Sequence, residues 1–187
     1  MLTWRAPAFG ILGGIKLNQC ILQGPQLALV AVGEEAAEDL LPAYNGDEQF
    51  TMWSGGDSTI SLATAQREIA ETLKMPGGNV WRIQNQAADL TGMAITALVP
   101  PPDNAWIALL MIRKEYQRHG LGSESAQLLE DWFFSQPNIR HIGLGVLTVN
   151  TPAVAFWSGR GYRSGLRCKD LYGNETITFR LDKPSAL

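Results

Sequence analysis

Two different spacings of apolar residues run along the chain, and together they predict a mixture of strands and helices. Residues 105–112 form an uninterrupted apolar run of a length typical for a strand buried on both faces. Residues 91–99, just before it, are similarly rich in Met, Ile, Leu and Val. The three prolines and two polar residues of 100–104 separate the two runs. We therefore expect two central strands joined by a hairpin-type connection.

The segment after residue 120 has helical rather than strand spacing. Its apolar positions recur every three or four residues up to Pro137, which limits the far end: Leu121, Leu128, Leu129, Trp132 and Phe133. A strand over 142–149, a short helix over 151–158 and a final strand over 177–181 follow. The second half is thus interpreted as strand, helix, strand, helix, strand, strand, where only the last of the two terminal strands has defined bounds.

The first half is less regular. It predicts a strand over 26–32, helices over 34–44 and 61–74, and a strand over 80–86. Residues 1–25 receive no element and are treated as an N-terminal extension of a single domain spanning 1–187. Hairpins combined with crossover helices imply an α/β (α+β) fold around a mixed, partly antiparallel sheet.

Composition narrows the function classes. A chain of 187 residues with 45% hydrophobic residues buries a sufficient core, and a net charge of −3 argues against a nucleic-acid surface. The cysteines (Cys20, Cys168) and histidines (His119, His141) match no zinc spacing, so we expect no metal. No apolar run is long enough for a membrane span or typical of a signal peptide, so we expect a cytoplasmic protein without membrane contact.

The junction at 112–123 carries the clearest candidate chemistry. Gly120 and Gly122 allow close backbone approach, and the first-turn N–H groups of the following helix are donors at the positive end of its dipole. Such a turn can hold a pyrophosphate, and three nearby cations (Arg113, Lys114, Arg118) favour an anion. A dinucleotide fingerprint would need glycine at Ser125, and no Gly-Lys-Ser/Thr phosphate loop occurs. The alternative is a tight turn with solvated basic side chains.

Two motifs resemble those of the GCN5-related N-acetyltransferase (GNAT) superfamily. The family's Gln/Arg-x-x-Gly-x-Gly/Ala motif is matched by Gln117, Arg118, His119, Gly120, Leu121 and Gly122. Its later Asn-x-x-Ala-x-x-Phe-Tyr…Gly-Phe pattern is matched, in the expected order, by Asn150, Ala153, Phe156, Gly161 and Tyr162. The segment 22–27 is more remotely similar to the RimJ/RimL-type subgroup. This resemblance implies a mostly antiparallel sheet of about seven strands in which two central strands splay apart.

The resemblance also implies where acetyl-CoA binds. The cofactor contacts carried over by position are Leu110, Met111, Ile112, Gln117, Arg118, His119, Gly120, Leu121, Gly122, Ser123, Asn150, Phe156 and Trp157. A backbone N–H of Met111 or Ile112 would stabilise the oxyanion of the reacting thioester. Two alternatives stay open, because Asn150 is also a preferred helix cap and Phe156 is equally compatible with plain core packing.

The acid and base of this chemistry are less defined. Many family members place a tyrosine where Trp157 stands, and indole cannot protonate the departing thiolate. Tyr162 is the candidate acid, with Ser158 or water as alternatives. The apolar strand contains no carboxylate, so Asp103 at its mouth is the candidate base, although a turn residue is its ordinary role.

The implied function is N-acyl transfer from acetyl-CoA to a primary amine in a ternary complex. Seven carboxylates fall between residues 34 and 57, and no Lys or Arg occurs between 17 and 66. This span would attract a small-molecule or peptide amine, or it is simply a solvated face. The alternatives are a non-catalytic CoA-binding module and a structural or protein-binding α/β domain. Edge strands and Trp-rich segments are compatible with a homodimer, which the sequence does not specify.

Overall fold

The computed structural model describes residues 20–49, 59–101, 103–170 and 173–184. The first nineteen residues of the predicted extension, Pro102 and one of the seven carboxylates, Asp57, therefore lie outside the described residues. Within the described ranges, none of the helices is long and apolar enough to cross a membrane.

After a short first strand, which falls in the unassigned residues 1–25, strands and helices follow one another in the predicted order. The strands are β1 (Ile21–Gln23), β2 (Leu27–Val32), β3 (Asn79–Asn85), β4 (Leu90–Val99), β5 (Asn104–Ile112), β6 (His141–Leu147), β7 (Arg163–Lys169) and β8 (Glu175–Asp182). The helices are α1 (Ala37–Tyr44), α2 (Leu62–Leu73), α3 (Leu121–Ser135) and α4 (Thr151–Gly159), with short 3-10 turns at Glu34–Ala36 and Lys114–Tyr116.

The strands form one sheet in the order β1-β2-β3-β4-β5-β6-β8-β7. Every neighbouring pair is antiparallel except β5 and β6, which are parallel. The predicted α/β (α+β) class and the mostly antiparallel mixed sheet are confirmed. The described residues contain eight strands rather than about seven. Two strands had no predicted bounds: β1, which lies in the unassigned residues 1–25, and β7, an edge strand with all seven residues exposed, so that no buried side marks it in the sequence.

The helices cover both faces of the sheet. Adjacent residues of β3 show this, because Trp81 packs in the core under α3 whereas Val80 packs in the core under α1 and α2. The hairpin predicted across 100–104 is present, since β4 and β5 pair antiparallel from Val99 opposite Asn104.

A bulge in β5 determines how this strand, predicted to be buried on both faces, distributes its buried residues between them. Ile95 pairs with Leu109 and Thr96 with Ile107, so Ala108 has no partner on β4. Buried and half-buried side chains alternate along the strand. The extra residue switches their direction, so that Ile107 packs under α3 while Leu109 packs under α1 and α2.

The strands β5 and β6 pair only at their beginnings. Asn104 lies opposite His141 and Trp106 opposite Gly143, and in the described residues no pair follows beyond that point. The remaining half of β5 is therefore hydrogen-bonded to β4 alone. This confirms the predicted splay of two central strands and leaves a gap between the carboxyl-terminal halves of β5 and β6.

Candidate active site

The loop after β5 has an unusual backbone just before α3. Arg118 has a φ of +66° and Gly120 a φ of +81°. A left-handed conformation is uncommon for a residue other than glycine and tends to occur at functional sites. A Cβ built at Gly120 would meet only Nε2 of Gln26, at 3.9 Å, so this glycine borders open space. The loop thus presents backbone, rather than side chains, to whatever lies in front of the helix.

The first turn of α3 offers unpaired donors. Its first internal hydrogen bond runs from Glu124 N–H to the Gly120 carbonyl, at 3.0 Å, and no side chain caps the helix. The N–H groups of Leu121, Gly122 and Ser123 consequently have no acceptor anywhere in the described part of the chain. Three parallel donors at the positive end of a fifteen-residue helix fit an anionic group such as a pyrophosphate.

Arg113 is not the free cation that the sequence suggested. Its guanidinium forms an ion pair with Glu115, donates to the carbonyl of Leu90 at 3.0 Å and lies 5.7 Å from the ring centroid of Tyr116. The residue anchors the loop to β4. The exposed cations of this segment are therefore Lys114 and Arg118.

The side chain of Gln117 connects the loop to the last residue of β5. Its side-chain Nε2 donates to the carbonyl oxygen of Ile112 at 2.9 Å. The side chain is thus used within the loop, and a ligand contact from Gln117 would come from its backbone. His119, the third residue of the motif, is exposed.

The direction of the β5 backbone decides which predicted strand residues face the gap. Arg113 N–H donates to the Thr91 carbonyl of β4 at 2.8 Å. Because alternate residues of an antiparallel strand point to opposite edges, Met111 also points toward β4, opposite Met93. Leu110 and Ile112 then direct their backbone groups to the edge that β6 has left. The Met111 N–H lies in the β4 ladder, which argues against its predicted oxyanion role and favours Leu110 and Ile112.

The loop and first helical turn over residues 112–123 are here called the cradle, and Gly122 lies where the cradle, β5 and α4 meet. A Cβ built on it would lie 3.7 Å from Cγ1 of Ile112 and 4.0 Å from Cε2 of Phe156, which are ordinary contact distances. Phe156 is half-buried and is therefore at the border of the gap rather than in the middle of the core.

Asn150 is the N-cap of α4, the alternative to a cofactor contact that the sequence left open. Its Oδ1 accepts the Ala153 N–H at 3.1 Å and so caps α4. The cap occupies the oxygen only, and the side-chain nitrogen has no partner among the residues that the structure describes. Asn150 is thus able to cap the helix and still donate a hydrogen bond.

Trp157 and Tyr162 lie deeper than predicted. Trp157 is 6% exposed and packs edge-on against Phe156 on one side and Tyr162 on the other, with ring centroids 4.9 and 5.0 Å apart. The Tyr162 hydroxyl is buried, and burial together with the nearby negative charge of Glu130 raises its pKa. Because its oxygen has no exposed surface, the hydroxyl has no access to a thiolate that leaves within the gap, which argues against Tyr162 as the acid.

Asp103 lies at the opposite end of β5 from the cradle. Nine strand residues separate the two, which is ~30 Å of extended chain. Its carboxylate is 3.8 Å from His141, and its carbonyl accepts the N–H groups of Arg140 and His141. Asp103 precedes the stretch in which β5 and β6 are still paired, so it lies outside the gap, which argues against its predicted role as base.

Glu124 is a residue of this site that sequence reasoning missed. Its carboxylate accepts the backbone N–H of Gln26 at 2.8 Å and the Gln26 side-chain amide at 2.9 Å. It thereby fastens the first turn of α3 to the turn between β1 and β2. A carboxylate in the first turn of the best predicted helix was a visible signal, but its partner is 98 residues away.

Comparison with known proteins gives one consistent family. Solved structures with the same fold include an acetyltransferase from Thermus thermophilus, with 21% identity and a TM-score of 0.71 over 87% of this chain and 99% of that one. RimL, a ribosomal alpha-N-protein acetyltransferase in complex with coenzyme A, has 16% identity and a TM-score of 0.69 over 87% and 97%. A spermidine N-acetyltransferase from Vibrio cholerae in complex with CoA and spermine has 14% identity and a TM-score of 0.71 over 86% and 97%.

Among proteins of curated function no match occurs. The sequence profile described as Acetyltransferase (GNAT) family matches residues 43–162, which include the cradle, the gap and α4. The chain belongs to the GNAT family of acetyltransferases.

Proposed function

We propose that the protein transfers an acetyl group from acetyl-CoA to a primary amine by direct attack in a ternary complex. The observation that carries this proposal is the row of unpaired N–H groups at Leu121, Gly122 and Ser123, next to the gap between β5 and β6. A phosphate-binding helix start beside an unpaired strand edge suits a ligand with an anionic end and a long amide-containing arm.

One group of residues would bind the anionic end of such a ligand and another group its amide-containing arm. The first turn of α3, with the exposed Arg118, would bind the pyrophosphate. The backbone of Leu110 and the N–H of Ile112 would pair with the amides of the pantetheine arm, since the Ile112 carbonyl already accepts from Gln117, and Phe156 would pack beside the arm. Two family relatives of the same fold were solved with coenzyme A, which supports this assignment.

The chemistry needs little from side chains. The amine nitrogen attacks the thioester carbonyl carbon, the carbon–sulfur bond breaks, and the amine's proton ends on the thiolate, which gives an amide and free CoA thiol. An N–H of Leu110 or Ile112 would stabilise the intermediate oxyanion, the kind of contact worth ~10²–10³-fold in rate in other acyl transfers. A thiol has a pKa of about 8.5, so a thiolate can leave near neutral pH with water as the proton donor. The proposal therefore does not need Asp103 or Tyr162.

An amine acceptor is supported by charge on α1. Asp39 is ion-paired with Arg82 at 2.6 Å, and a Glu35 oxygen accepts the Gly33 N–H. Glu34, Glu38 and Glu48 are exposed, and the first two lie close together in sequence around the start of α1, which makes them the pair to test as the cation-attracting part of the span. If they recruit the acceptor, Glu34→Gln with Glu38→Gln raises the KM for the amine and leaves that for acetyl-CoA unchanged. Glu71→Gln, an exposed acid on α2, is the matched control, and equal effects in both variants would contradict an acceptor role.

The assay of the proposed function is thiol release from acetyl-CoA with a panel of polyamines, aminoglycosides and peptide N-termini. Turnover above the uncatalysed rate with at least one amine supports transfer. The lack of a placed acid or base favours a second candidate, a CoA-binding module without turnover. That candidate predicts binding of CoA together with no thiol release for any amine in the panel.

A further inference from the structure

Arg160 connects the two helices that border the gap. It follows α4 directly, as its C-terminal cap residue, and its side chain is only 15% exposed. The guanidinium reaches across to α3 and bonds three of its residues. These acceptors lie on one stripe of the helix, spaced by four and three residues: Ser123, Gln127 and Glu130.

The contacts use most of the donor capacity of the guanidinium. Nε and one Nη donate to the two carboxylate oxygens of Glu130, at 3.0 and 2.5 Å. The Nη that bonds Glu130 also donates to the Gln127 side-chain oxygen at 3.2 Å, and the other Nη donates to the backbone carbonyl of Ser123 at 3.1 Å. Such a forked arrangement fixes both distance and orientation, which a point charge does not.

The hydrogen bonds of Arg160 to Ser123, Gln127 and Glu130 are here called the clamp. They involve residues on both sides of the proposed cofactor site. Ser123 is one of the three residues with an unpaired first-turn N–H. Phe156, one turn before Arg160, has its ring centroid 5.9 Å from the guanidinium carbon and also borders Gly122. Since β5 and β6 have parted here, strand pairing does not set the distance between the cradle and α4.

We propose that Arg160 is a positioning residue that holds α4 against the first turn of α3 at the separation that the acyl-CoA substrate requires. This inference rests on the proposed function, because it assumes that the cradle and Phe156 bind the same molecule. Glu130 is the residue of α3 that binds the Arg160 guanidinium through both carboxylate oxygens. Burial of both charges is weak evidence for a gain in stability, since the cost of removing two charges from water offsets their attraction. A geometric role accounts for the pair better.

The test separates positioning from stability. Arg160→Lys keeps the charge but cannot bond Glu130 and the Ser123 carbonyl together. The double variant Arg160→Gln with Glu130→Gln leaves no unpaired buried charge, so its thermal stability is expected to return close to that of the native protein. Arg167→Gln, on the exposed edge strand β7, is the control for loss of an arginine.

The readouts are the dissociation constant for coenzyme A by calorimetry and the KM for acetyl-CoA against kcat. Both Arg160→Lys and the stable double variant are expected to bind coenzyme A at least ~10-fold more weakly, mainly through KM, because small displacements at a binding site are costly. Arg167→Gln binds normally. Full recovery of affinity in the double variant would show that Arg160 contributes stability only and would overturn the proposal. If the native protein fails to bind coenzyme A, the proposed function fails, and the clamp with it.

Discussion

The carboxylate of Glu124, in the first turn of α3, accepts two hydrogen bonds from Gln26, one from its backbone N–H at 2.8 Å and one from its side-chain amide at 2.9 Å. The same carboxylate also accepts the Leu27 N–H at 3.3 Å. A negative charge at this helix end is favourable on its own, and here it also supplies acceptors to the start of β2. The helix start that forms the cradle is thereby bound to the β1–β2 edge of the sheet.

Glu124→Ala removes the acceptor of three N–H donors. We expect the free energy of unfolding to fall by ~1–2 kcal/mol, as measured by urea denaturation, because the part-buried Leu27 N–H loses its acceptor, whereas the exposed Gln26 donors bond water instead. Asp131→Ala, on the exposed face of the same helix, should change it by no more than ~0.5 kcal/mol. An equal decrease in the free energy of unfolding in the two variants would mean that the hydrogen bonds between Glu124 and Gln26 do not contribute to stability.

The central half of the fold was predictable because its elements carry one strong local signal each. The apolar run of β5, the helical spacing of α3 and the glycines between them identify strand, helix and cradle without knowledge of any distant contact. The course of β5 was not predictable in detail, since the bulge at Ala108 depends on the register with β4.

The hydrogen bonds of Arg160 and of Glu124 were not predictable from the sequence either. Each depends on residues 30 or more positions apart. Glu130, a charge on the buried stripe between Ala126 and Phe133, was a visible sign that a partner must exist, as was the first-turn carboxylate of Glu124.

The two cradle glycines should respond oppositely to alanine. Gly120→Ala places a side chain at a φ of +81°, which costs ~1–2 kcal/mol of stability. Gly122→Ala adds a methyl at ordinary contact distances inside the helix, where alanine is favoured over glycine by up to ~1 kcal/mol. Thermal or urea unfolding of the two variants measures the difference. A Gly122→Ala protein less stable than Gly120→Ala would contradict the geometry described.

Trp157 should act as packing and not as a substitute acid. We expect Trp157→Tyr and Trp157→Phe to have the same kcat within a factor of about three, since the ring lies between Phe156 and Tyr162 in the core. Both variants should lose ~1–3 kcal/mol of stability through reduced packing. General acid catalysis is typically worth ~10²–10⁴-fold, so a tyrosine variant at least tenfold faster than the phenylalanine variant would place this position at the leaving group.

Two buried tyrosines predict a loss of stability at alkaline pH. Burial, with the charge of Glu68 for Tyr44 and of Glu130 for Tyr162, raises the pKa of both hydroxyls above the usual value of about 10. Their contribution to stability is complete below the pKa of the unfolded chain and declines as the pH rises beyond it. The slope should approach ~1.4 kcal/mol per pH unit for each tyrosine. Urea denaturation between pH 9 and 11 should show a shallower decline in the Tyr44→Phe and Tyr162→Phe proteins. An unchanged slope in the double variant would mean that neither hydroxyl is coupled to folding.

The most direct test of the account is the affinity for coenzyme A of two variants that differ by one charge in the cradle. Asparagine and aspartate both tolerate the left-handed backbone at position 120 and have nearly the same size, so Gly120→Asn controls for strain in Gly120→Asp. We expect calorimetry to show that the native protein and Gly120→Asn bind coenzyme A, whereas Gly120→Asp binds it at least ~10-fold more weakly, because the new carboxylate repels the pyrophosphate. Equal affinity of the two variants would contradict the assignment of the cradle to the pyrophosphate.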